Sequence, residues 1–83
     1  MTVRLHPHCM ERMSERGAGE SEVSTTVLTG SRLQARFGRI SFRKEFPGPW
    51  TWQGKRYEQK EVEAIAVPDG SDWLVITVIV RYF

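Results

Sequence analysis

Trp73-Leu74-Val75-Ile76-Thr77-Val78-Ile79-Val80-Arg81-Tyr82 is the stretch that decides the fold. Its β-branched residues favour an extended chain, and its length suits a strand. Strict alternation puts Leu74, Ile76, Val78, Val80 and Tyr82 on one face. The other face then carries Trp73, Val75, Thr77, Ile79 and Arg81. Both faces are mainly apolar, which predicts a strand inside its sheet. Just upstream, Pro68-Asp69-Gly70-Ser71-Asp72 spells a turn. A strand over 57–67 precedes that turn.

Further back, Leu33, Ala35 and Phe37 alternate with Gln34 and Arg36, and Ile40 and Phe42 with Ser41 and Arg43. This predicts one bent strand or two short ones, with Gly38 as the bend or turn. Pro47-Gly48-Pro49 is expected to end that region, leaving Trp50, Trp52 and Gly54 in a connection. Before Gly30 the apolar period is near four. Val23, Val27 and Leu28 predict a helix over 20–29, favoured at its start by Glu20 and Glu22 and stopped by Gly30. Pro7 opens an earlier helix over 7–16, where its missing N–H costs nothing. Leu5, Cys9 and Met13 mark the apolar side of that helix, and Gly17 suits a left-handed closing residue. Helices followed by strands define an α+β class. The expectation is two N-terminal helices packed on a three- to four-stranded, mostly antiparallel sheet, with residues 1–83 forming a single domain.

A chain of 83 residues buries a thin core, so both a monomer and a homodimer stay open. No apolar run reaches the roughly 18 residues of a membrane span, and no apolar signal core opens the chain. The lone Cys9 allows no intrachain disulfide, which fits a reducing, cytoplasmic setting. The net charge is only +2, but it is unevenly spread. Arg32, Arg36, Arg39, Arg43 and Lys44 occur in one segment without an acid. Such a segment suits a polyanion such as RNA, and equally a solvated strand face that resists edge pairing.

The sharpest motif is His8-x3-Arg12-x3-Arg16-Gly17. On a helix, residues at i, i+4 and i+8 share one face, so an imidazole aligns with two guanidiniums. The motif, followed by Glu22-Val23 and Thr29-Gly30, resembles the opening of the small bacterial and archaeal domains of the DUF4258 family. The final strand, Trp73-Leu74-Val75-Ile76-Thr77-Val78, is similar as well. More remotely, that family resembles the metal-independent ribonuclease and toxin folds grouped with RelE, barnase and colicin endonucleases. The resemblance implies two N-terminal helices on a four-stranded sheet, an RNase-like or toxin-like role, and with it an antitoxin or immunity protein as partner. Ala18-Gly19 departs from the family pattern and leaves the second helix less well capped.

Metal-free RNA cleavage needs a proton-transfer group and positive charge on the phosphate. His8 fits the first requirement, and Arg12 and Arg16 the second. Glu11, Glu15, Tyr57 and Tyr82 are the candidates for a second proton-transfer group. Arg36, Arg39 and Arg43 are candidates for substrate contact, joined by Thr77 and Arg81 if the first helix packs beside their face. Against this stands a bland alternative, in which Arg12 simply pairs with Glu15 on the helix surface. His6, His8 and Cys9 are possible metal ligands that diverge on a helix and have no second ligand pair downstream, so no metal is expected. Isolated glycines at 38, 48 and 54 form no phosphate loop, and no cofactor is expected. Trp50, Trp52 and Tyr57 can stack on bases or cover a core edge or dimer contact. The competing reading is a non-catalytic RNA- or protein-binding module.

Overall fold

The computed structural model describes residues 2–83. Strand β1 (Val3–Leu5) leads into helices α1 (Pro7–Arg16) and α2 (Glu20–Thr29). Strands β2 (Ser31–Gln34), β3 (Ile40–Trp52), β4 (Lys55–Asp69) and β5 (Asp72–Tyr82) follow. They form one five-stranded sheet in the order β1-β5-β4-β3-β2. Neighbours pair antiparallel, except that β1 runs parallel to β5. The class is α+β, with one strand more than the sequence suggests. β5 lies inside the sheet, as its two apolar faces require.

The added strand is β1, and it takes Leu5 away from the helix stripe to pair with Val75. Three residues carrying Arg4 in the middle show no readable alternation. What fixes them is tertiary: Trp73 N–H donates to Thr2 O at 3.0 Å, and His6 N–H to Val75 O at 2.9 Å. α1 and α2 have the predicted bounds. Gly17 closes α1 at φ 78°, and a Cβ there would sit 2.5 Å from Tyr82 Oη, so both backbone and packing demand glycine.

Two further expectations are corrected. β2 stops at Gln34, and residues Arg36–Gly38 make a single 3₁₀ turn, so Ala35 and Phe37 belong to no strand. Pro47-Gly48-Pro49 does not end β3, which continues to Trp52 across a register irregularity between Pro47 and Trp50. Proline is tolerated there because β2 covers only Ile40–Arg43, leaving the rest of β3 without an outer partner that would need the N–H.

A second irregularity sets the two faces. Ala66 pairs with Val75 and Ile65 with Thr77, so Ile76 is an extra residue in β5. Strict alternation therefore breaks, and Trp73 and Val75 join Val78, Val80 and Tyr82 on one face. That face receives the helices. Cys9, Met13, Val23 and Val27 pack on Phe42, Val62, Ala64, Ala66, Val75 and Val78. Each fully buried valine among them contributes about 2 kcal/mol by leaving water. The opposite face is not covered by a helix. Leu33, Ser41, Ile65 and Thr77 form one row across it, and Arg43, Glu63 and Ile79 the next.

A buried ammonium fastens the helices to the sheet. Lys60 is 2% exposed. Its Nζ lies 2.7 Å from Glu22 Oε2, 3.0 Å from Gly17 O and 4.0 Å from the centre of the Trp50 ring. Glu22 Oε1 also accepts from Gly19 N–H at 2.9 Å, so α2 is capped at its start, contrary to the expectation from Ala18-Gly19. Removing one partner of such a pair strands the other charge. Glu22→Ala should cost about 3 kcal/mol in urea denaturation. Lys60→Met should cost less, because Glu22 is partly exposed and can hydrate. The reverse ranking would show that the pair does not hold the layers together.

Candidate functional site

Pro7 starts α1 beside the edge of β5, and this places both histidines next to the extra residue of that strand. His6, His8, Arg39, Ile76 and Thr77 line a hollow of about 370 Å³. His8 N–H donates to His6 Nδ1 at 3.1 Å. In the neutral imidazole of His6 the ring proton therefore resides on Nε2. The bulge helps make this hollow, because it turns Thr77 onto the open face alongside Ile65.

Arg39 also lines a second depression of about 430 Å³, beneath the turn between β2 and β3. Arg36, Phe37, Ser41, Arg43 and Glu63 form most of the rest of its wall. Arg39 is the one lining residue that the two hollows share.

The arginines of the helical motif lie elsewhere. Arg12 Nη1 donates to Glu15 Oε2 at 2.6 Å, a surface pair one helical turn apart. Arg16 Nη1 donates to Val78 O at 2.6 Å. β1 ends before it reaches Val78, so Arg16 supplies the donor that a longer β1 would have given. Neither side chain lines the hollow at His8. The motif residues share a helix flank, yet only the imidazole reaches the cavity.

Arg81 does not join α1, which packs against the other face of β5. Its Nη1 lies 2.8 Å from Glu61 Oε1 and 2.9 Å from Glu63 Oε1. These bonds and charges raise the pKa of the Arg81 guanidinium further. Glu63 is 5% exposed, and its Oε2 accepts from Ser41 Oγ at 2.7 Å. Arg43 Nη2 approaches the same oxygen at 3.4 Å. Burial pushes the Glu63 carboxyl up, but the Ser41 hydroxyl and the Arg81 and Arg43 charges outweigh it, and the net shift is downward. Oε1 has the Arg81 charge close by but no aligned hydrogen-bond donor.

Glu11 stays exposed on α1, and the aromatic candidates turn inward. Trp52 stacks on Tyr82 at 5.5 Å, Tyr57 lies 5.4 Å from Tyr82, and Trp50 Nε1–H donates to Phe46 O. This aromatic group braces the β3–β4 arm. Tyr82 Oη donates to Arg16 O, and burial pushes its phenol up, with the Glu22 charge adding to the shift. Cys9 is fully buried, and desolvation raises its thiol to about 11. Among the described residues no three His, Cys, Asp or Glu side chains assemble as a ligand set. Among the same residues no helix is long and apolar enough to cross a membrane.

The sequence offers His6 only as a metal ligand, and it carries no sign of the network at Glu63. Proximity of two histidines across a proline was the available signal for His6. No sequence signal pairs Glu63 with Ser41, which lies across two strands.

Two helices on one face of a five-stranded sheet, with two hollows that share Arg39 on the other, define a small α+β domain that leaves one sheet face without a helix. The chain belongs to the DUF4258 family: residues 5–80 match the model described as "Domain of unknown function (DUF4258)". No curated protein matches the chain, and no solved structure does.

Two outcomes follow from the buried groups. Glu63 has a lowered folded pKa, so its stabilisation is complete above the ordinary carboxylate range near pH 4.5 and is lost as pH falls through the lowered value. Glu63→Gln should therefore flatten the acid limb of a stability-against-pH curve, and an unchanged limb would contradict the network. The Cys9 thiol should resist an aromatic disulfide reagent at pH 8 until the chain is unfolded. Rapid labelling of the native protein would contradict its burial.

Proposed function

We propose that this domain binds RNA across the open sheet face and cleaves its phosphodiester backbone without a metal, as a slow RNase-like or toxin-like activity. The observation that carries the reading is the hollow lined by His6, His8, Arg39 and Thr77, which shares Arg39 with the depression at Arg36 and Arg43. His8 takes the proton from the ribose 2′-hydroxyl. The 2′-oxygen forms a bond to phosphorus, the P–O5′ bond breaks, and a 2′,3′-cyclic phosphate and a 5′-hydroxyl result. The leaving O5′ takes its proton from solvent, which the open hollow admits. His6 Nε2–H and the Arg39 fork donate to the non-bridging oxygens as charge builds there. Arg12 sits one turn along α1 from His8 as a flanking positive charge, and Arg16 acts as a positioning residue through Val78 O.

A second reading is a non-catalytic RNA-binding module. The commitment of Arg12 to Glu15 and of Arg16 to Val78 O favours it, since both leave fewer free cations beside His8. The deciding measurement is incubation of purified protein with a mixed RNA pool in the presence of a chelator. Wild type should shorten the RNA, and His8→Ala should lower the rate by about 10². Arg39→Ala should weaken both binding and cleavage. RNA left intact by wild type, yet bound with a steep salt dependence, would sink cleavage and leave the binding module. Equal cleavage by wild type and His8→Ala would sink the assigned site.

A further inference from the structure

Phe37 is 88% exposed and sits in the left-handed region at φ 60°, ψ 35°. Glycine adopts that conformation freely, whereas a bulky side chain is strained in it. Gln53 is the one other non-glycine residue with positive φ among those described, and it is a polar residue in the turn between β3 and β4. Phe37 carries two costs at once, a strained backbone and an apolar ring left in water. The Arg39 guanidinium lies 5.8 Å from the ring centre, a contact that is weak at an exposed site.

The surroundings of the ring are basic. Arg36, Arg39 and Arg43 line the same depression as Phe37. Of the large apolar side chains that stay exposed, only Leu33 and Phe37 belong to it. Two such residues are too few for a protein interface, which covers about 800 Å² on each partner around an apolar centre. An unpaired base needs less: a flat ring to stack on and cations for its phosphates.

We propose that Phe37 is a stacking platform for an unpaired base, so that the RNA held on this face is single-stranded. Bases in a duplex already cover one another's faces and offer none to a ring on the protein surface. Arg36 and Arg43 supply charge for the flanking phosphates. Arg39 lines both this depression and the hollow at His8, so the same guanidinium borders the stacked nucleotide and the phosphate to be cleaved. Charge alone predicts the reverse preference, because a duplex carries its phosphates more densely than a single strand.

The inference rests on the RNA reading and narrows its substrate class. Its test uses RNA with a 2′-O-methyl group on every ribose, which leaves no hydroxyl to attack phosphorus, so binding is read apart from cleavage. Fluorescence anisotropy with the intact protein compares a short labelled strand with the same strand annealed to its complement. The single strand should bind about tenfold more tightly than the duplex. Phe37→Gly should weaken single-strand binding about tenfold, with a melting temperature near that of wild type, since relief of the strained backbone offsets the looser unfolded chain. Phe37→Leu keeps the apolar bulk without a flat face and should lose the preference as well. Duplex bound as tightly as the single strand, or a preference that survives Phe37→Leu, would overturn the platform and leave cleavage standing. Displacement of the strand by polyglutamate as readily as by unlabelled RNA would also overturn it, in favour of an acidic protein partner. Single-strand preference with unmodified RNA left whole would fell the cleavage alone, and binding of neither form would fell both.

Discussion

The extra residue in β5 opposite Ile65 and Ala66 is the constraint on which the molecule turns. Without it, Val75 and Val78 would point to opposite faces, since a strand alternates with a period of two. With it, both lie fully buried under the helices beside Val62, Ala64 and Ala66. The same displacement carries Thr77 to the open face and opens the strand edge where His6 and His8 sit. Core and hollow are thus products of one irregularity. A bulge at such a place re-aims side chains, and conservation of stability comes from the core that it completes.

The two sides of the sheet solve the problem of buried charge differently. On the helix side Lys60 is enclosed by Glu22, the Gly17 carbonyl and Trp50, so each direction around the ammonium is spoken for. On the open side Glu63 is equally buried but incompletely satisfied, with Ser41 and Arg43 on one oxygen and only a misaligned Arg81 on the other. The first network joins two layers, while the second ties β3, β4 and β5 together along the open face.

Both helices, their glycine stops, the Asp69-to-Asp72 turn and the interior position of β5 were legible from local pattern. Each depends on residues close in sequence. β1 was not legible, because a three-residue strand has no period and is fixed by Val75 and Trp73 from the far end of the chain. The faces of β5 depart from strict alternation because of a bulge that leaves no mark in Ile76-Thr77 itself. In the candidate site, the spacing of His8, Arg12 and Arg16 truly reports one helix flank. It does not report that Glu15 and Val78 O engage the two arginines. Arg36, Arg39 and Arg43 were read as a basic segment, and they do line one depression. What joins them to Glu63 is strand register, which only the folded sheet reveals.

The β3–β4 arm carries a last implication. From Lys44 onward the outer rim of β3 has no neighbouring strand, and a bare rim of this kind invites other polypeptides to add themselves. Pro47 and Pro49 delete two amide hydrogens along that border, and the register break between Pro47 and Trp50 bends it. The border is therefore a poor template for intermolecular β-stacking, and the protein can remain dispersed at concentrations where a smooth strand of the same length would seed fibres.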